Sequence, residues 1–238
     1  MNLIIERSFA KVLLRFGYNM FQVKDATPLI DLLPMLVKNR MERIRSGSFS
    51  FLQIGANDGF FNDPIRAIID RFPGWKWEGI LVEPNPKIFG SLQGNYKGYE
   101  GLSFEQVAIT DENKPITLYV SDGLADESVL SSLSRSAAAL SLGAKKSRIK
   151  EVSVPGCTLS TLFAKHNTTN LDLFITNTEG LDHDIMVQLF SKTHVCPHII
   201  RFEHSLMRRA DYAECCELLK IHGYALLQVG TNTLAQRV

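Results

Sequence analysis

Phe51-Leu52-Gln53-Ile54-Gly55-Ala56-Asn57-Asp58-Gly59 decides the fold, because a short apolar run here feeds directly into a glycine-bearing turn. A run this short suits a buried strand better than a helix, which needs roughly ten residues or more. Asp63-Pro64 follows, a capping side chain and a first-turn proline, so the chain passes from strand to helix almost at once. Asn85-Pro86 repeats that arrangement after the apolar stretch 80–82. Working outward, further strands are expected at 103–109, 171–176 and 198–203, separated by helical stretches such as the one that Thr158 caps. This alternation is the signature of a parallel sheet built from βαβ units. Segments 224–229 and 234–238, joined at Gly230-Thr231-Asn232, are expected to close the sheet as a terminal antiparallel hairpin. The expected class is α/β, a mostly parallel central sheet with helices on both faces.

The 238 residues fit one such domain with terminal additions. Ser46-Gly47-Ser48 marks the boundary between an N-terminal helical cap or extension, 1–45, and the core domain, 49–238. Within the extension, 1–22 is expected to be an amphipathic helix whose apolar face is interrupted by Arg7, Lys11 and Arg15. Those charges argue against a membrane span and a standard signal peptide, leaving a cap packed on the domain or a peripheral membrane contact. Thr27-Pro28 and Pro34 predict two short helices before Arg45. With 45% hydrophobic and 21% charged residues, the chain can bury an ordinary globular core. Lys+Arg (26) and Asp+Glu (25) nearly cancel without long like-charge runs, so no nucleic-acid partner is expected. Cys157, Cys196, Cys215 and Cys216 show no C-x-x-C spacing, which points to reduced thiols and a cytoplasmic location.

Caps at residues 63 and 85 fix where the first two core strands end, and hence which residues stand at the carboxyl edge, where open α/β sheets bind ligands. The turn Gly55–Gly59 lets backbone amides approach a ligand closely, yet it is not G-x-G-x-x-G, and it carries Asp58 with Asp63 nearby. A dinucleotide pyrophosphate would be repelled there, whereas the ammonium and sulfonium of S-adenosylmethionine would be attracted. Glu83 ends the second strand, where a carboxylate can accept both hydrogen bonds of a ribose diol. The competing readings are a solvated loop acid for Glu83 and simple helix capping for Asp63.

Gln53-Ile-Gly-Ala-Asn-Asp-Gly59, Asp63-Pro64, Gly79-Ile-Leu-Val-Glu-Pro-Asn-Pro86 and Val107-Ala-Ile-Thr-Asp111 occur in that order, followed by Val154-Pro155 and Thr158-Leu159. Asn177-Thr-Glu-Gly180 with Asp182, Phe202-Glu203-His204 and Gly223-Tyr224 complete the series. Together these motifs resemble the FkbM-type methyltransferases over roughly residues 49–229. The resemblance implies a Rossmann-like class I methyltransferase fold and adds Pro84, Ala108 and Asn177 to the cofactor-binding residues Gly55, Ala56, Asn57, Asp58, Gly59, Asp63 and Glu83. It also implies O-methylation of a hydroxyl on a sugar, a glycolipid or glycan, or another small molecule.

Methyl transfer needs an acceptor oxygen held in line with the S–CH3 bond, and a base that takes its proton. The candidates follow the fourth and fifth core strands: Asn177, Glu179, Asp182 and His183, then Glu203 and His204. His204 is the preferred base, since imidazole titrates near neutral pH, with Glu203, Glu179 and Asn177 as partners; the competing reading is a structural histidine. His183 is expected to face solvent. Where the family usually reads D-T-E-G, this chain has Asn177, so a catalytically impaired cofactor-binding or scaffold protein is the alternative function. No ligand spacing demands a metal, and none is expected. Residues 121–150 interrupt the strand-helix rhythm as an inserted lid-like segment. Its Arg135, Lys145, Lys146, Arg148 and Lys150 would suit a phosphate-bearing acceptor, or form a solvated helix face.

Overall fold

The computed structural model describes residues 19–21, 29–61, 63–121, 131–132, 149–178 and 180–238. The chain opens with β1 (Asn19–Phe21) and β2 (Leu29–Asp31), an antiparallel pair, then α1 (Leu33–Met41). The core follows as β3 (Ser48–Ile54), α2 (Pro64–Arg71), β4 (Lys76–Val82), α3 (Pro86–Asn95) and β5 (Leu102–Glu105). Next come the short β6 (Ala108–Ile109), β7 (Ile116–Ser121), β8 (Ser131–Ser132), β9 (Ile149–Val154) and β10 (Gly156–Cys157). The order ends with α4 (Leu159–Lys165), β11 (Leu173–Thr176), α5 (Asp182–Lys192), β12 (Ile199–Glu203), α6 (Arg209–Ile221), β13 (Tyr224–Val229) and β14 (Asn232–Arg237).

Seven strands form the central sheet in the order β5-β4-β3-β11-β12-β14-β13. Parallel pairing runs from β5 to β12, and β14 is antiparallel to both β12 and β13. The terminal hairpin is therefore present, with its second strand inserted between β12 and its own partner. The fold is α/β and Rossmann-like, as expected. Helices α1, α2 and α3 bury Val37, Ile65, Ile68 and Leu92 against Phe49, Phe51 and Leu81 on one face. On the other, α4, α5 and α6 bury Leu162, Met186, Leu189 and Leu219 against Leu52, Phe174 and Phe202. Alternate residues of one strand serve opposite cores, as the pleat requires.

The caps behave as read. Asp63 accepts from the Ile65 and Arg66 amides at the start of α2, Asn85 from Lys87 at α3, and Thr158 from Thr161 at α4.

Three expectations need correction. Pro34 does not interrupt a helical pair; it occupies the first turn of α1, where its missing N–H costs nothing, and Leu29–Asp31 is a strand. In the expected amphipathic helix, Asn19–Phe21 is β1, and 1–18 lie outside the described residues. The stretch 103–109 is not one strand. β5 stops at Glu105, and β6 leaves the main sheet to pair with β10. Of the segment 121–150, the described parts are strand ends of a small antiparallel sheet ordered β8-β7-β9; Arg135, Lys145, Lys146 and Arg148 lie outside the described residues.

Candidate active site

β3, β4, β11 and β12 are neighbours, so the turns that leave their carboxyl ends share one rim of the sheet. Gly55 leaves β3 with φ +78, and both its amide and that of Ala56 bond the Val82 carbonyl at 2.9 and 3.0 Å. A Cβ on Gly55 would lie 1.9 Å from the Asn177 carbonyl oxygen, so only glycine lets the β3 and β11 turns touch. Asn57 also takes a left-handed conformation, φ 50, which suits asparagine better than most side chains. Gly59, φ +67, closes the turn against Leu92 and Tyr96 of the α3 region, again with no room for a Cβ.

Glu83 stands beside this turn and is only 4% exposed. Its two oxygens accept the Asn57 amide at 3.1 Å and the Asn85 amide at 2.9 Å. Each oxygen keeps a further lone pair. Burial pushes the Glu83 carboxyl up to about 7, against the pull of those two amides. The solvated-loop reading of Glu83 therefore fails, because the side chain is locked into the base of the turn.

Asp58 and Asp63 diverge. Asp58 turns back on its own loop, where one oxygen accepts the Phe60 and Phe61 amides at 2.9 and 3.0 Å. Asp63 caps α2 and also accepts the Tyr96 hydroxyl at 2.6 Å and the Gln53 side-chain amide. Burial raises its carboxyl above the usual range. With this many donors gathered on one carboxylate, the capping reading holds for Asp63. Its pull on Gln53 also orients that side chain: the NH2 group must face the carboxylate, so the carbonyl oxygen points away and bonds no described residue. Gln53 is 3% exposed, and Asn85 likewise buries an unpartnered side-chain NH2. In the sequence Gln53 stands out only as a polar residue at the end of an apolar run and as the first residue of the motif that carries the family resemblance.

Ala108 is buried under the small sheet with its amide spent on the Pro155 carbonyl, and Pro84 bridges Glu83 to the α3 cap. On the β11 turn, the Asn177 amide bonds Ile54 O at 3.0 Å and its side chain is exposed. Beneath it, Asp182 is 1% exposed and accepts from the Thr176 hydroxyl, the Thr178 amide and the Thr178 hydroxyl at 3.0, 3.2 and 3.0 Å. Burial pushes Asp182 up to about 6, with the Glu203 charge adding to the rise. Asp182 thus clamps the turn rather than lining it. Glu179 lies outside the described residues.

β12 delivers Glu203, half-buried, with one oxygen accepting the Ser205 hydroxyl at 2.7 Å. His204 turns toward the terminal hairpin. Its Nε2 meets the Gln228 amide nitrogen at 2.9 Å, its Nδ1 meets Thr233 Oγ1 at 3.0 Å, and its ring lies on Tyr212. Since an amide nitrogen only donates, Nε2 accepts and the proton sits on Nδ1. Burial lowers the His204 pKa below its ordinary value, although Glu203 opposes that shift, so the ring is neutral near pH 7. None of Tyr212, Gln228 or Thr233 was legible as a partner in sequence. His183 does not face open solvent; it is half-buried between Asp184 and Glu214, tying α5 to α6. Among the described residues no three His, Cys, Asp or Glu side chains converge as a metal site, and no helix is long and apolar enough to cross a membrane.

No curated protein matches the chain in sequence. Among solved structures, the Methanococcus jannaschii fibrillarin pre-rRNA processing protein is 12% identical, with 93% of this chain and 83% of that chain covered at a TM-score of 0.44. A precorrin-6y C5,15-methyltransferase from Geobacter metallireducens GS-15 is 10% identical, covering 92% and 93% at 0.41. The ribosomal protein L11 methylase from Lactobacillus delbrueckii subsp. bulgaricus is 11% identical, covering 85% and 78% at 0.40. Likenesses this distant say nothing about substrate. The methyltransferase FkbM domain model, by contrast, matches residues 53–226, from the strand that opens the glycine turn to the first strand of the hairpin. The chain belongs to the FkbM methyltransferase family.

Proposed function

We propose that the protein is an S-adenosylmethionine-dependent O-methyltransferase acting on a hydroxyl of a sugar, a glycan or glycolipid, or another small molecule. The observation that carries this reading is the Gly55–Gly59 turn pressed between Asn177 and the buried Glu83 carboxyl. The residues present fit the cofactor. Glu83 retains lone pairs for two ribose hydroxyls, and a cationic ligand nearby would favour its ionised form. The Gln53 oxygen and Asn85 NH2 are buried polar atoms that bond no described residue. Gly55, Ala56, Asn57, Asp58, Gly59, Pro84, Ala108 and Asn177 complete the proposed cofactor site, while Asp63 acts from behind as a cap.

When bound, the cofactor supplies an electrophilic methyl group on a sulfonium. The chain's own task is to hold an acceptor hydroxyl in line and remove its proton. His204, neutral near pH 7, is the proposed base, with Glu203, Glu179 and Asn177 as its proposed partners. In the arrangement described, the His204 lone pair is occupied by Gln228, so proton removal requires the acceptor hydroxyl to displace that amide. That same latch favours the second reading, a cofactor-binding protein impaired in catalysis, in which residue 177 is also neutral.

Titration calorimetry with S-adenosylmethionine and S-adenosylhomocysteine tests the cofactor reading, and absence of binding overturns it. Transfer of a radiolabelled methyl group from S-adenosylmethionine to a glycan and small-molecule extract tests catalysis. Tight binding with no transfer selects the impaired reading.

A further inference from the structure

At the amino end of the sheet, opposite the glycine turn, the face covered by α4 changes character. Toward the carboxyl ends this face presents Leu52, Ile54, Ile80 and Val82 to the core. At period-two positions nearer the amino ends it presents Ser48, Ser50 and Glu78, and Ser103 aligns with Ile80 in the neighbouring strand. Parallel sheets of this class are normally covered by helices along both faces. Here α4 has only seven residues, about 10 Å of helix, and stops at Lys165. The chain then returns through residues 166–172, leaving a cleft of about 440 Å³ beneath that loop and beside Arg40. Its size falls in the range of small-molecule sites, roughly 300–1,000 Å³.

The charges around the cleft are paired off within the chain. Arg40 meets Asp172 at 2.8 Å, Lys76 meets Glu78 at 2.6 Å, and His166 meets Glu105 at 2.7 Å. No excess of either sign is left to attract an ion. Ser50 and Asp172 also hold one another, amide to side chain in both directions, which stiffens the wall. By contrast, Ser103, Asn167, Thr168, Thr169 and Asn170 offer hydroxyl and amide side chains that bond no described residue. Half-buried Ile44 adds an apolar edge beside them, with the core residues Ile80 and Leu171 behind the wall.

We propose that this amino-end cleft is a second ligand site, which takes a neutral polyhydroxylated molecule such as a saccharide unit. Hydroxyl and carboxamide groups both donate and accept, as sugar hydroxyls do, and the apolar edge at Ile44 suits the C–H face of a sugar ring. Phe51, the β3 lining residue nearest the glycine turn, lies four residues before Gly55, about 13 Å along the strand, so the cleft is separate from the candidate active site and its occupancy does not depend on the methyl-donor reading.

The test is a ¹H–¹⁵N NMR titration of the full chain with maltotriose, triacetylchitotriose and myo-inositol, and with inorganic phosphate as the anionic control. The expected result is a saturable shift of amides in 46–50, 101–103 and 166–172 by at least one neutral probe, with phosphate leaving them unmoved. Ser103→Trp and Asn170→Trp, at exposed positions lining the cleft, should each weaken that binding at least tenfold while thermal melting shows both folded. Silence with all three neutral probes overturns the proposal. So do shifts confined to the Gly55 turn, displacement by phosphate, or unchanged affinity in both variants.

Discussion

Glu83 shows how one residue ties the site to stability. Its carboxyl titrates near pH 7 in the fold and at 4.5 in a free chain, so the folded state holds the proton more tightly. Stability from this group is fully present below pH 4.5 and is lost as pH rises through about 7. At about 1.4 kcal/mol per pKa unit, the loss is on the order of 3 kcal/mol. Asp182, pushed up to about 6, acts in the same direction. The ligand-free protein is therefore expected to melt lower at pH 8 than at pH 5, and Glu83→Gln to flatten that slope, as read by differential scanning calorimetry. Gly55→Ala places a methyl group on the Asn177 carbonyl in a left-handed backbone. Its expected effect is a loss of S-adenosylhomocysteine affinity of at least tenfold by calorimetry, with a lower melting temperature.

At the scale of elements, a helix start and a turn depend on a half-buried and a fully buried carboxylate. Asp63 starts α2 and gathers Tyr96 and Gln53, so Asp63→Ala removes a cap and leaves buried donors unpaired. A destabilisation of about 2–4 kcal/mol is expected from urea unfolding, whereas a free surface acid would cost almost nothing. Asp182 pins the β11 turn from below through Thr176 and Thr178. Asp182→Ala should accelerate amide exchange at Thr178 by at least tenfold, with Asp182→Asn retaining part of the protection because one oxygen still accepts. These clamps were only half legible: a cap before proline announces itself in sequence, but a carboxylate reaching back to two threonines does not.

For the molecule as a whole, the terminal hairpin is structural before it is anything else. β14 lies between β12 and β13, with Thr233, Leu234 and Ala235 buried, so removing it exposes a central strand edge and strips β13 of its described pairing. A chain ended at Gly230 is expected to aggregate or unfold, which gel filtration and circular dichroism would report. The same hairpin supplies Gln228 and Thr233 to His204. The residue preferred as base from its place after an apolar strand thus turned out to be anchored by the last strands of the chain.

The strand–helix alternation of the core, its caps and the glycine turn were determined by the sequence alone, because they depend on residues within a few positions of one another: apolar period, proline after a capping side chain, glycine where the backbone must be left-handed. Side-chain partnerships were decided only by the tertiary structure. His204 meets Gln228 and Thr233 across 24 and 29 positions, and Ser50 meets Asp172 across 122. The Gly55–Asn177 contact and the amino-end cleft are of the same kind. No local pattern encodes such contacts, since they exist only once strands distant in the chain are packed side by side.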